Sequence, residues 1–366
     1  MRYVDEFRNP HAAQKLGEKI SALANGRPMR LMEVCGTHTM AVARYGLKGF
    51  LPPEVSLVSG PGCPVCVTPN GYIDHAVALC RLDGVTIATF GDMMRVPGSR
   101  SSLEQERAEG RDIRVVYSPL DALRFASEHP ERRVVFLGIG FETTIPGVAV
   151  SVLEADRTGV SNFLVLSAHK VMPPAMSALA WDPELEVDGF LCPGHVSVII
   201  GADAYRAIAT DAGIPCVVAG FEPLDVLRAV DMLVAQVVAD RAEVQIQYRR
   251  AVKPEGNPKA RALVEEVFEP TDASWRGIGT IAGSGLRIRE QFRRFDAAVM
   301  LEVNVPPPDE PKGCICGAIL KGVRSPGDCG LFGGRCTPEH PVGACMVSSE
   351  GTCAASFRFQ PDRDAL

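Results

Sequence analysis

The 366-residue chain has only two tryptophans, no run approaching 18 uninterrupted apolar residues, and no long block of lysine and arginine. Without such an apolar run it offers no membrane-spanning helix. Its formal charge of −6 leaves no diffuse basic footprint, which argues against gripping a nucleic-acid phosphate backbone. The N-terminal stretch MRYVDEFRNPHAAQKLGEKISALA carries charges throughout and reads as an amphipathic helix, without the apolar centre of a secretory signal. Neither G-x-x-x-x-G-K-[ST] nor a full G-x-G-x-x-G occurs, GIGFET offering only G-x-G, so no tight nucleotide site is expected. The hydrolase elbow G-x-S-x-G is also missing, and AGSGLR (282–287) reads as a plain turn.

What the chain does contain is cysteine. With no secretory signal the chain is expected in the cytoplasm, where thiols stay reduced and structural disulfides are rare. Its twelve cysteines therefore point to metal ligation or redox chemistry. Hydrophobic residues make up 46% and charged ones 22%, an ordinary globular balance able to bury sizeable cores. A chain longer than about 250–300 residues is expected to split into two or three domains.

From residue 30 to about 220 one unit recurs: a β-branched apolar run, a Gly- or Pro-containing turn, and a helix-compatible segment. The runs are RLMEVCG (30–36), VSLVSGPG (55–62), VTIATFGD (85–92), RVVFLGIG (133–140), FLVLSAH (163–169), DGFLCPGH (188–195) and PCVVAGFE (215–222). Such nearly continuous apolar runs predict parallel strands covered by helices on both faces. The fold class is therefore α/β: two doubly wound, Rossmann-like domains over 1–129 and 130–262, with a small cysteine-rich domain over 263–366. Pro223 opens a long helix in which Leu224, Leu227, Val230, Leu233, Val234, Val237 and Val238 recur at helical spacing. KPEGNPKAR (253–261) reads as a linker, and VPPPDEPKG (305–313) punctuates the chain before the cysteine-rich tail.

The tail reads C-x-C-x12-C-x6-C-x8-C-x7-C through Cys314, Cys316, Cys329, Cys336, Cys345 and Cys353. Zinc more typically shows paired C-x2-C knuckles, whereas an iron–sulfur cluster accepts four thiolates at irregular spacings, so a [4Fe–4S] site is favoured. Six thiols exceed four, and two of them are candidates for a thiol/disulfide pair lying against the cluster. Cys63 and Cys66 in GPGCPVCVTP form a C-x-x-C after the VSLVS strand. A strand-to-helix turn lowers thiol pKa, making them candidates for reversible disulfide chemistry. Cys35 and His38 in EVCGTHTM straddle a glycine turn and present a thiolate and an imidazole for one metal ion. Strand carboxyl ends in doubly wound sheets collect at one crevice, so Cys35, Cys63 and Cys66 are expected to share a cleft. Later turns bring Asp92, Glu142, His169, Lys170 and His195 to the same edges, with Asp92 and His195 the stronger candidates. Cys80, Cys192 and Cys216 read as packing residues.

CGTHTM, GPGCPVCVTP, FGDMMRVPGS and the six-cysteine tail together, in order along nearly the whole chain, resemble the HypD family of [NiFe]-hydrogenase maturation proteins. The resemblance implies two similar α/β domains and a third holding a [4Fe–4S] cluster in surroundings like those of ferredoxin–thioredoxin reductase. It implies a scaffold that works with the small chaperone HypC. On it iron acquires two cyanides and one carbon monoxide before transfer to the hydrogenase large subunit, with cyanide arriving from HypE and HypF. Carried over, Cys35 holds the Fe(CN)2CO fragment jointly with a cysteine of HypC, and Cys63 with Cys66 is the thiol pair beside it. His38, Asp92 and His195 are weaker carry-overs. Analogy with the reductase places Cys329, Cys336 and one of Cys314 and Cys316 on the cluster, with Cys345 or Cys353 as the fourth ligand. Two other classes compete: a disulfide oxidoreductase of the ferredoxin–thioredoxin reductase type, and a zinc-stapled interaction protein.

Overall fold

The computed structural model describes residues 5–359. The first sheet takes β1 (Met29–Glu33) and β2 (Val55–Ser59), and the chain then leaves to build a second sheet from β3 (Val85–Thr89), β4 (Ile113–Val115), β5 (Arg133–Gly138) and β6 (Phe163–Ser167). It returns to the first sheet with β7 (Gly189–Pro193), β8 (Cys216–Ala219) and β9 (Val244–Ile246). The spatial orders are β2-β1-β7-β8-β9 and β4-β3-β5-β6, and every pairing in both sheets is parallel. Strands β3, β7 and β8 are buried at every position, as continuous apolar runs require when helices cover both faces.

The expected boundary at His129–Pro130 does not separate the two sheets, because β3 pairs with both β4 and β5 across it. The first sheet is instead discontinuous in sequence. Which strands pair is a non-local choice that the composition of the runs does not encode. The expected boundary at 262 likewise falls inside the helix Pro258–Val267.

Helix Pro223–Val238 forms where the apolar spacing placed it, with Leu224, Leu227, Val230, Leu233, Val234 and Val237 buried and Val238 turned outward. It packs against the N-terminal helix Pro10–Ala24, which Asn9 caps by accepting the Ala12 N–H. Beyond the second sheet, β10 (Phe268–Trp275) and β11 (Gly279–Ile288) pair as an antiparallel hairpin. AGSGLR therefore lies within β11 and is not the plain turn expected. Gly283, at φ 62°, admits the irregularity there, and its N–H is held by Asp272 Oδ1. VPPPDEPKG carries no regular element, and the tail then wraps back over the first-sheet loops through short helices Cys316–Leu320 and Thr352–Phe359.

Candidate functional site

In a doubly wound sheet the crevice opens where strand order reverses, at the carboxyl ends of the strands. In the first sheet that point lies between β1 and β7, whose following turns carry Cys35 and His195 respectively. The β2 turn, Gly60–Cys63, folds against Cys35: Gly60 N–H donates to Glu33 O at 2.7 Å and Gly36 N–H to Gly62 O at 2.9 Å. A side chain at Gly62 has no room, because its Cβ would fall on the Cys35 backbone. Gly62→Ala is therefore expected to destabilise the fold by about 2 kcal/mol or more, read as a lowered thermal midpoint. An unchanged midpoint would mean that the two turns separate freely.

Cys35 occupies the N-cap position of the helix Gly36–Arg44 without a side-chain capping hydrogen bond, and the nearby backbone N–H groups of His38 and Thr37 favour its thiolate. Burial outweighs them. The thiol is pushed up to about 12, with the Glu350 carboxylate adding to the effect. Glu350 reaches this point from the tail, accepting the Thr37 hydroxyl at 2.7 Å. Ser348 extends the link by donating to Asp92 Oδ2 at 3.0 Å, so the exposed Asp92 of the second sheet joins the same rim.

Beneath Cys35 lies Glu33, 1% exposed, accepting the Thr39 hydroxyl at 2.5 Å and the Cys35 N–H at 3.2 Å. Burial raises this carboxyl to about 8 despite its donors. The folded protein thus keeps a proton there that the unfolded chain releases near 4.5, and stability falls as pH rises between those values. Glu142, raised to about 7, acts in the same direction, whereas His38, lowered to about 4, contributes below the ordinary histidine range. Between pH 7 and 8 the slope is expected to carry up to about 1.4 kcal/mol per pH unit from Glu33. Denaturant midpoints of Glu33→Gln should be flatter over that interval, and an equal slope in both proteins would refute the assignment.

The structure does not direct the His38 imidazole as expected. Its Nε2 lies 3.0 Å from Gly220 O and its ring stacks on Phe221 at 4.8 Å, while Nδ1 is buried without a partner. His195 stacks against the same Phe221, at 3.9 Å. The two histidines are thus brought together through one phenylalanine.

Cys63 caps the four-residue helix Pro64–Val67, and its sulfur accepts the Cys66 N–H at 3.3 Å. The expected lowering of thiol pKa does not hold at Cys66. Fully buried and surrounded by sulfur, its thiol is pushed up, first by desolvation and then by contacts with Cys345 and Cys63. The hairpin tip clamps this segment, since Arg276 donates its backbone N–H to Val67 O and its Nε to Thr68 O, each at 2.8 Å.

Cys345 is the junction. It lies in hydrogen-bond contact with Cys316, Cys353 and Cys66, and these three thiols together hold its own pKa well below the ordinary value. The Cys353 N–H also points at its sulfur, at 3.4 Å. All six tail cysteines line one tightly packed pocket, closed by Ile319, Leu331, Phe332 and Met346. Among the described residues no group of three or more Cys, His, Asp or Glu converges as a site for a single metal ion. Six thiols lining one pocket without converging on a point are the donor chemistry that a multi-iron cluster takes. Cys80, Cys192 and Cys216 are buried, as packing residues should be.

The family model for HypD, described as the hydrogenase formation hypA family, matches residues 11–360. The chain belongs to the HypD family. It is 49% identical to the hydrogenase maturation factor HypD of Azotobacter vinelandii, over 100% of this chain and 99% of that protein. The HypD factors of Cupriavidus necator and Escherichia coli (strain K12) are 47% and 45% identical, covering 100% and 98% of this chain and 98% of each relative. It is accordingly a hydrogenase maturation factor. Among the described residues no helix is long and apolar enough to cross a membrane.

Within this HypD chain, Glu33, Thr37, Ser348, Glu350 and Arg276 are the site residues that motif reading did not single out. Glu33 lay inside a quoted motif, and its burial was the missing signal. Glu350 and Arg276 carry no local signal at all.

Proposed function

We propose that this chain is a scaffold on which, together with a HypC-type small chaperone, iron is built into an Fe(CN)2CO fragment destined for a hydrogenase large subunit. Cyanide would come from HypE working with HypF. The observation that carries this reading is a run of cysteines: the Gly62 turn packs on the Cys35 backbone, Cys63 Sγ accepts the Cys66 N–H, and Cys66 contacts Cys345 in the six-cysteine pocket. Cys35 is assigned as the cargo ligand because a soft thiolate suits low-spin iron and it lies at the strand-order switch between β1 and β7. Its raised pKa means that iron must displace a proton on binding.

Of the tail cysteines Cys345 contacts Cys66, and Cys316 contacts Cys345. On this reading Cys345 and Cys316 are the exchanging pair, and Cys314, Cys329, Cys336 and Cys353 would hold a [4Fe–4S] cluster. When bound, the cluster supplies electrons one at a time. Cys345, whose thiol its sulfur neighbours hold well below the ordinary pKa, attacks the Cys66 sulfur of a Cys63–Cys66 disulfide, forming a Cys345–Cys66 bond and releasing Cys63 as thiolate. Cys316 then attacks Cys345, releasing Cys66 and leaving a Cys316–Cys345 disulfide that takes two electrons and two protons to reset. The reduced pair at Cys63 and Cys66 lies beside the Cys35 cleft.

Metal analysis of anaerobically purified protein tests the cluster: about four iron and four sulfide per chain are expected. Zinc in their place would leave a stapled interaction protein. Rapid turnover of an added protein disulfide would favour the reductase alternative.

A further inference from the structure

The FGDMMRVPGS segment contributes Asp92 to the cleft rim, but the rest of it faces elsewhere. Arg95 crosses to the tail and donates to Pro338 O at 3.0 Å. Arg95, Arg100 and Arg335 line one surface recess with His340 and Val342. Glu104 and Glu339 also line it, leaving one net positive charge among its ionised groups on a chain whose own charge is −6. The recess shares a wall with the cysteine cavity: the Val342 N–H donates to Cys336 Sγ at 3.3 Å, and Arg335 precedes Cys336 in sequence. A group seated there is separated from a cluster sulfur by one residue.

We propose that this recess is the docking site of a small, negatively charged one-electron carrier protein, which delivers electrons to the cluster through the Cys336 side. The inference rests on the cluster reading above. A cluster held by these cysteines would take up one electron per encounter as the carrier is oxidised, so two encounters, with two protons, would reset the Cys316–Cys345 disulfide to thiols. Guanidinium groups suit this role because they bind carboxylates in a planar fork and steer an acidic partner at long range. The opposite side of the cavity is closed to a carrier by Cys345, which packs against the buried Cys66.

The test is stopped-flow reduction of the full-length, cluster-containing protein by a reduced acidic [2Fe–2S] ferredoxin, alongside reduction by the methyl viologen radical cation. Arg100→Glu/Arg335→Glu replaces two exposed side chains, and Arg100→Gln/Arg335→Gln is the milder version. The ferredoxin rate should fall steeply with salt and drop at least about tenfold in the charge-reversed protein. The glutamine variant should lie between. The viologen rate, the iron and sulfide content and the thermal midpoint should be unchanged. Wild-type ferredoxin rates in both variants, or a wild-type rate insensitive to salt, would overturn the docking site. Absence of iron and sulfide from the wild-type protein would instead sink the cluster reading itself.

Discussion

Cys35→Ala is expected to lose the proposed iron fragment and to keep the tail's iron and sulfide. The expected loss exceeds about 100-fold in bound fragment, since outer-shell changes alone cost metal sites 10–100-fold and this change removes the protein's ligand. The cluster should survive because Cys35 lies at the β1 turn, outside the cavity that the six tail cysteines line. Infrared bands and iron content, measured on the same sample co-purified with the small partner, give both answers. Simultaneous loss of the cluster would show that Cys35 supports the tail and not the cargo. Glu350→Gln offers a gentler companion: the carboxylate meets the Cys35 helix through Thr37, so its neutralisation should ease thiol ionisation while the fold is retained.

The second large effect separates the tail cysteines into two groups. Cys345→Ser and Cys316→Ser should retain the cluster while reduction of a Cys63–Cys66 disulfide slows by roughly two orders of magnitude, because the attacking or resolving thiol is gone. Cys336→Ser and Cys353→Ser should lose iron and sulfide. Mass-spectrometric mapping of Cys63 and Cys66 after anaerobic reduction, together with metal analysis of each variant, distinguishes the groups. A Cys345→Ser protein without a cluster, or a Cys353→Ser protein that keeps one, would reverse the assignment.

The strands that could be read from the sequence are those buried on both faces, where β1, β3, β5, β6, β7 and β8 appear as apolar runs; β2 was legible too, with Ser56 alone pointing to solvent. Strands β4 and β9 have three residues each and little burial, so they leave no such run. The β10–β11 hairpin was hidden for another reason. Its exposed residues are Pro270, Asp272 and Ser274, turn formers by type, and the glycines of β11 suggest turns. The site divides in the same way. Cysteines announce themselves by residue type and spacing, and the strand-end rule gives the expectation that Cys35, Cys63 and Cys66 share a cleft, of which the structure shows the Gly62 turn packed on the Cys35 backbone. The acidic rim could not be read, because Glu350 meets Thr37 across 313 residues and Glu33 gains its character only from burial. The imidazole of His38 was misdirected by proximity in sequence: on the helix Gly36–Arg44 it faces Phe221 and Gly220 from the neighbouring strand end.

The most direct test of the scaffold is the infrared spectrum of the anaerobic complex between this chain and a HypC-type partner, isolated from cells that also supply HypE and HypF. Two cyanide stretching bands and one carbon monoxide band, lost in Cys35→Ala, are the predicted result. A complex with a full iron–sulfur complement and none of those bands would contradict the account.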